Sequence, residues 1–85
     1  MLNRTNTILI VDDDERVREL FATFLKTKGY EVREAVCGKD GLEQARQNPP
    51  DLVLLDVRLP DISGIEVCRL IKHDPKLADV FVALC

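Results

Sequence analysis

The sequence predicts an α/β fold built on a parallel sheet. Three observations point there. Short runs that are apolar on consecutive positions suit strands covered on both faces. These runs alternate with segments whose apolar residues recur at helical spacing. The alternation is regular, β-α-β-α-β-α-β, over 85 residues without a linker, internal repeat or low-complexity stretch. That order implies right-handed crossovers between parallel strands.

Thr7-Ile8-Leu9-Ile10-Val11 is the first such run, and it stops at Asp12-Asp13-Asp14. Asp13 or Asp14 can cap the following helix, with Glu15 adding favourable charge in its first turn. Val17, Leu20, Phe21, Phe24 and Leu25 then form one helical stripe, and Gly29 after Lys26 and Lys28 marks its end. Tyr30 to Val36 is expected as the second strand, and Lys39 to Gln47 as a short helix with Leu42 and Ala45 facing inward. Asn48-Pro49-Pro50 closes that helix, because proline cannot continue it. Leu52 to Leu55 is a third buried strand, with Asp56 at its carboxyl end. The segment Val57 to Gly64 is a loop punctuated by Pro60 and Gly64. A third helix runs from Ile65 to His73, its inner face drawn from Ile65, Cys68 and Ile71 and widened by Val67 and Leu70. Asp74-Pro75 breaks it, and Val80 to Leu84 is the fourth strand.

Composition narrows the function classes. Hydrophobic residues make up 46% and charged residues 32%, a globular balance that fits one small domain, residues 1–85. The net charge of -3 and a pI near 5.0 argue against nucleic-acid binding by this segment. The apolar runs are far too short to cross a membrane, and Met1 to Thr7 lacks the apolar core of a signal peptide, so a cytoplasmic location is expected. Cys37, Cys68 and Cys85 are odd in number and widely spaced, which suits free thiols better than a disulfide framework or a zinc site.

The chemistry concentrates in four carboxylates. Asp12-Asp13-Asp14 follows one buried strand and Asp56 follows another. Ligands of open parallel sheets collect at the carboxyl ends of strands. If those two strands are neighbours, Asp12, Asp13 and Asp56 converge on one spot, where ionised carboxylates need a counter-charge. A hard divalent cation such as Mg²⁺ supplies it and can also hold a phosphoryl group in line with a carboxylate nucleophile.

The stretch from Ile8 to Lys72, "ILIVDDDERVRELFATFLKTKGYEVREAVCGKDGLEQARQNPPDLVLLDVRLPDISGIEVCRLIK", resembles the receiver domain of bacterial two-component response regulators, the chemotaxis regulators among them. The resemblance runs from about Thr7 to the last residue. It implies a flavodoxin-like, doubly wound sheet of order 2-1-3-4, lacking the family's fourth helix, fifth strand and fifth helix. It implies that Asp56 is the phosphoacceptor, that Asp12 and Asp13 hold Mg²⁺ together with Asp56, and that the backbone carbonyl of Arg58 completes the protein's ligands. Pro60 and Gly64 match residues that shape the loop after the third strand. The implied donor is a phosphohistidine on a sensor histidine kinase or phosphotransfer protein, and the domain catalyses only its own modification.

Two departures bear on switching. The family's fifth-strand Lys has no counterpart, and the family's Thr or Ser at the end of the fourth strand falls on Cys85, whose thiol is a weaker donor. A phosphorylation-independent interaction module of the same fold is therefore the alternative expectation. A phosphatase reading of Asp12-x-Asp14 fits less well. Arg16 stands where a hydroxyl-bearing residue is needed, and Asp56 is left without a role. The sheet edge at Val80 to Leu84, or a sheet face left without a helix, is expected to promote self-association.

Overall fold

The computed structural model describes residues 6–84. Strands β1 (Thr7–Val11), β2 (Glu31–Ala35), β3 (Leu52–Leu55) and β4 (Phe81–Leu84) form one parallel sheet in the order β2-β1-β3-β4. Helices α1 (Glu15–Thr27), α2 (Gly38–Gln47) and α3 (Gly64–His73) make the crossovers. Val11 pairs with Ala35 on one side and Leu55 on the other, so β1 and β3 end level.

Helices lie on both faces of the sheet, which sorts the side chains of each strand by their alternation. Leu9, Val11, Val53 and Leu55 point to one face and pack with Leu42 and Ala45 of α2 and Val67 and Ile71 of α3. Ile8 and Ile10 point to the other, where Ala22, Leu25, Val32, Leu52 and Leu54 gather under α1. Gly41 sets the approach of α2 to the sheet. A Cβ there would lie 2.7 Å from Val11 Cγ2.

Each helix begins where an oxygen can take its free amides. Asp14 caps α1 by accepting from Arg16 N (2.9 Å) and Val17 N (3.4 Å). Ser63 caps α3 by accepting from Glu66 N at 3.1 Å. Gly29, at φ 92°, ends α1 in the left-handed conformation that suits glycine.

The structure revises several boundaries. α2 and α3 each begin one residue early, at Gly38 and Gly64, because the capping position lies just upstream. β2 excludes Tyr30 and Val36, both exposed. Val80 is buried but precedes β4, and a 3-10 turn, Pro75–Leu77, stands between α3 and that strand where the sequence suggests only a break. Asp74 starts that turn by accepting from Lys76 N. Ile65, expected to face inward, is 60% exposed; Val67 and Ile71 take the inner positions of α3. On α1 the buried line runs through Arg18, Ala22 and Leu25, leaving Leu20 and Phe24 outside at 70% and 55% exposure. Among the described residues β4 pairs with β3 alone. Phe81, opposite Leu52, is exposed on the α1 side of the sheet.

Candidate functional site

The sheet ladder itself assembles the acidic cluster. Asp12 N donates to Ala35 O at 3.1 Å and Asp56 N donates to Val11 O at 2.9 Å, so each residue is held one step past its strand. Because β1 and β3 are neighbours in level register, Asp12 and Asp56 emerge side by side at the carboxyl edge, and Asp13 follows. Carboxylate oxygens of Asp12, Asp13 and Asp56 lie within 4.8 Å of one another. Asp12 and Asp56 are half-buried and Asp13 is exposed. The sequence expectation for these three is met in space.

Short bonds orient the cluster. Asp12 Oδ1 accepts from Asp14 N at 2.9 Å, and Asp56 Oδ1 accepts from Arg58 N at 3.1 Å. Arg58, the expected source of a ligating carbonyl, thus starts a loop whose first turn is closed by Asp56 itself. Gly64 N donates to Val57 O at 2.8 Å and draws the far end of the loop back against the strand. Cys85, the expected switch position, lies outside the described residues.

Two residues near the site gave no signal in the spacing. Arg18, with its side chain only 12% exposed, donates from Nη1 to Asp12 O at 2.8 Å and from Nε to Glu34 Oε1 at 3.2 Å. It fastens the start of the acidic turn to β2. Asp61 accepts from the amides of Gly38 and Lys39. Both residues act on partners that only the folded chain brings near.

Burial holds the Asp12 carboxyl above its usual range, and the charges of Asp56, Asp13 and Asp14 add to the effect. The bond from Asp14 N opposes it. A cluster of oxygen donors with excess negative charge and two half-buried members is the environment a hard cation completes. The residues present fit Mg²⁺.

A stability test follows. A carboxyl whose pKa is raised on folding favours the fold most fully below its ordinary value of 3.8, and that contribution is lost as pH rises through the folded value. At pH 7 without metal, ionised Asp12 therefore works against folding. Asp12→Asn keeps an acceptor for Asp14 N and removes the charge. It should raise the metal-free melting temperature at pH 7, and the gain should fade as pH falls through the raised folded pKa of Asp12 and be gone below its ordinary value of 3.8. Mg²⁺ should then stabilise the parent chain and leave the variant nearly unchanged. A lower melting temperature for Asp12→Asn at pH 7 without metal would contradict this account of the cluster.

Known proteins share both the fold and the sequence pattern. The family model of the response regulator receiver domain matches residues 8–84. The chain is 37% identical over 76 residues to the polar-differentiation response regulator DivK of Brucella ovis, covering 89% of this chain and 62% of that protein. It thus spans less than two thirds of that relative's length. The N-terminal domain of a response regulator receiver protein from Methanoculleus marisnigri superposes with a TM-score of 0.87 at 40% identity, over 92% of this chain and 63% of the other. The chemotaxis response regulator CheY4 of Vibrio cholerae gives 0.91 at 25% identity, over 95% and 68%. Four parallel strands in the order 2-1-3-4, an acidic cluster on their carboxyl edge and a match over nearly the whole length agree: the chain belongs to the response regulator receiver domain family.

Proposed function

We propose that the chain accepts a phosphoryl group on Asp56 from a phosphohistidine of a sensor histidine kinase or phosphotransfer protein. The observation that carries this reading is the meeting of Asp12, Asp13 and Asp56 within 4.8 Å at the ends of two neighbouring strands. A carboxylate oxygen of Asp56 attacks phosphorus in line. The P–O bond forms as the P–N bond breaks, and the electron pair leaves with the partner's imidazole, which takes up a proton. The products are an aspartyl phosphate and a neutral histidine, so the domain modifies itself and does not turn over substrate. Asp12, Asp13, Asp56 and the carbonyl of Arg58 would hold Mg²⁺, which supplies charge neutralisation at the phosphoryl oxygens.

A phosphoramidate, as a small-molecule phosphohistidine mimic, tests this directly. Incubation with Mg²⁺ should label the parent chain, and Asp56→Asn should abolish the label. Equal labelling of both proteins would defeat the reading. No described helix is long and apolar enough to cross a membrane. The reading places the chain in the cytoplasm, where a kinase draws on ATP.

Self-association belongs to the same reading. Phe81, at 73% exposure, lines an open hollow with Ile8, Leu25, Tyr30 and half-buried Leu52, an apolar surface beside α1 that a second copy can cover. Sedimentation equilibrium should show a concentration-dependent mass that Phe81→Ser reduces. A monomer at all concentrations, with a concentration-independent melt, would rule this out.

A further inference from the structure

The loop between β3 and α3 carries Arg58, and three fastenings set its course. At its start Arg58 N donates to Asp56 Oδ1 at 3.1 Å. At its end Gly64 N donates to Val57 O at 2.8 Å. Between them, Asp61 reaches across to α2. Its Oδ1 accepts from Gly38 N at 2.8 Å and its Oδ2 from Lys39 N at 2.7 Å.

Those amides lie in the first turn of α2, where the helix has no carbonyl to offer them. Cys37, at the capping position, makes no side-chain cap bond. The cap of α2 therefore comes from a residue 23 positions downstream of Gly38. Two charge-assisted bonds at the positive end of a helix favour the ionised carboxylate. The Asp61 pKa is accordingly lowered to about 2, with the Lys39 amide as the largest cause.

Packing at the same place is equally close. A Cβ at Gly38 would lie 2.6 Å from Ile62 Cγ1 and 2.9 Å from Val67 Cγ2, so a glycine lets the loop dock on the helix end. Pro60, with its φ fixed by the ring, joins Asp61 to Leu59, which packs against the core next to Arg58. Movement of Asp61 is thus passed along a short, stiff path to the Arg58 peptide.

We propose that Asp61 is a positioning residue for the cation site: by clamping the middle of this loop to the first turn of α2, it holds the Arg58 peptide where its carbonyl can serve the cation. The inference rests on the receiver reading of Asp12, Asp13 and Asp56. Asp61 touches neither the cation nor the phosphoryl group and acts through the backbone.

The test is a Mg²⁺ titration followed by the amide shifts of Asp12, Asp13, Asp56 and Arg58, on the parent chain, Asp61→Ala and Asp61→Asn. Each is measured where circular dichroism shows it folded. Asp61→Ala should weaken Mg²⁺ binding by about tenfold, the lower end of losses on removing an outer-shell partner. Asp61→Asn keeps one acceptor oxygen and should lose less, about threefold on the same scale. Hydrogen exchange at Gly38 and Lys39 should quicken in both. A merely structural role would lower the melting temperature and leave the affinity of the folded variant at the parent value, which would overturn the inference. If Asp61→Ala does not fold, Asp61→Asn decides. Parent affinity together with an unprotected Lys39 amide overturns the inference, and weakened affinity supports it. A parent chain whose amides do not respond to Mg²⁺ would instead overturn the reading of the acidic site, and the inference with it.

Discussion

Gly64→Ala will destabilise the chain by more than about 4 kcal/mol, the exceptional range for a single substitution. A Cβ at this position would overlap the carbonyl oxygen of Asp56 and lie 2.9 Å from both Asp56 C and Val57 Cα. All three are backbone atoms at the end of a central strand, so no side chain can swing aside. Relief requires α3 to retreat from β3, which breaks the bond from Gly64 N to Val57 O and unseats Val67 and Ile71 from the core. A small domain has only about 5–15 kcal/mol of stability to lose. Urea unfolding should show a much lower midpoint, and the amide spectrum should lose its dispersed Asp56–Arg58 signals. A midpoint within error of the parent would show that the close approach of α3 to β3 is not a constraint.

Withdrawal of Mg²⁺ with EDTA will slow phosphoryl labelling by about 100-fold or more, since a bound metal contributes several kcal/mol of charge stabilisation in the transition state. The incoming phosphoryl group brings further negative charge to a cluster that already holds Asp12, Asp13 and Asp56. Burial and mutual repulsion already hold Asp12 above its usual pKa before that charge arrives. Arg18, the cation nearest the Asp12 backbone, is committed to Asp12 O and Glu34. Among the described residues no side-chain cation is paired with these three carboxylates, which leaves a charge for a metal to offset. Labelling with phosphoramidate in EDTA, then after Mg²⁺ is restored, measures the effect. Equal rates in the two conditions would mean that the carboxylates act without a cation.

The acidic site was legible because strand ends are legible. Thr7 to Val11 and Leu52 to Leu55 are apolar on both faces and stop at carboxylates, so their bounds and the places of Asp12, Asp13 and Asp56 could be read directly. Periodicity was less informative for α1. It marks an apolar stripe but not which side the sheet occupies, and here the sheet meets Arg18, Ala22 and Leu25. Ile65 misled for a related reason: in the first turn of α3 it is Gly64 and Val67 that turn to the core, which leaves Ile65 between them on the outer side. Asp74-Pro75 looked like a simple break because proline stops a helix, yet it also opens a 3-10 turn that buries Leu77. Arg18 and Asp61 were beyond reach for a different reason. Their function depends on partners such as Glu34 and Gly38, 16 and 23 residues away, and no local pattern encodes such a meeting.

The central claim is that Asp56 receives the phosphoryl group while Asp12 and Asp13 hold the cation. Mass spectrometry of the labelled chain, after the acyl phosphate is trapped by borohydride reduction, tests it most directly. The account predicts a single modified site at Asp56, formed only when Mg²⁺ is present. Modification at Asp12 or Asp13, or at Asp56 to the same extent in EDTA, would contradict it.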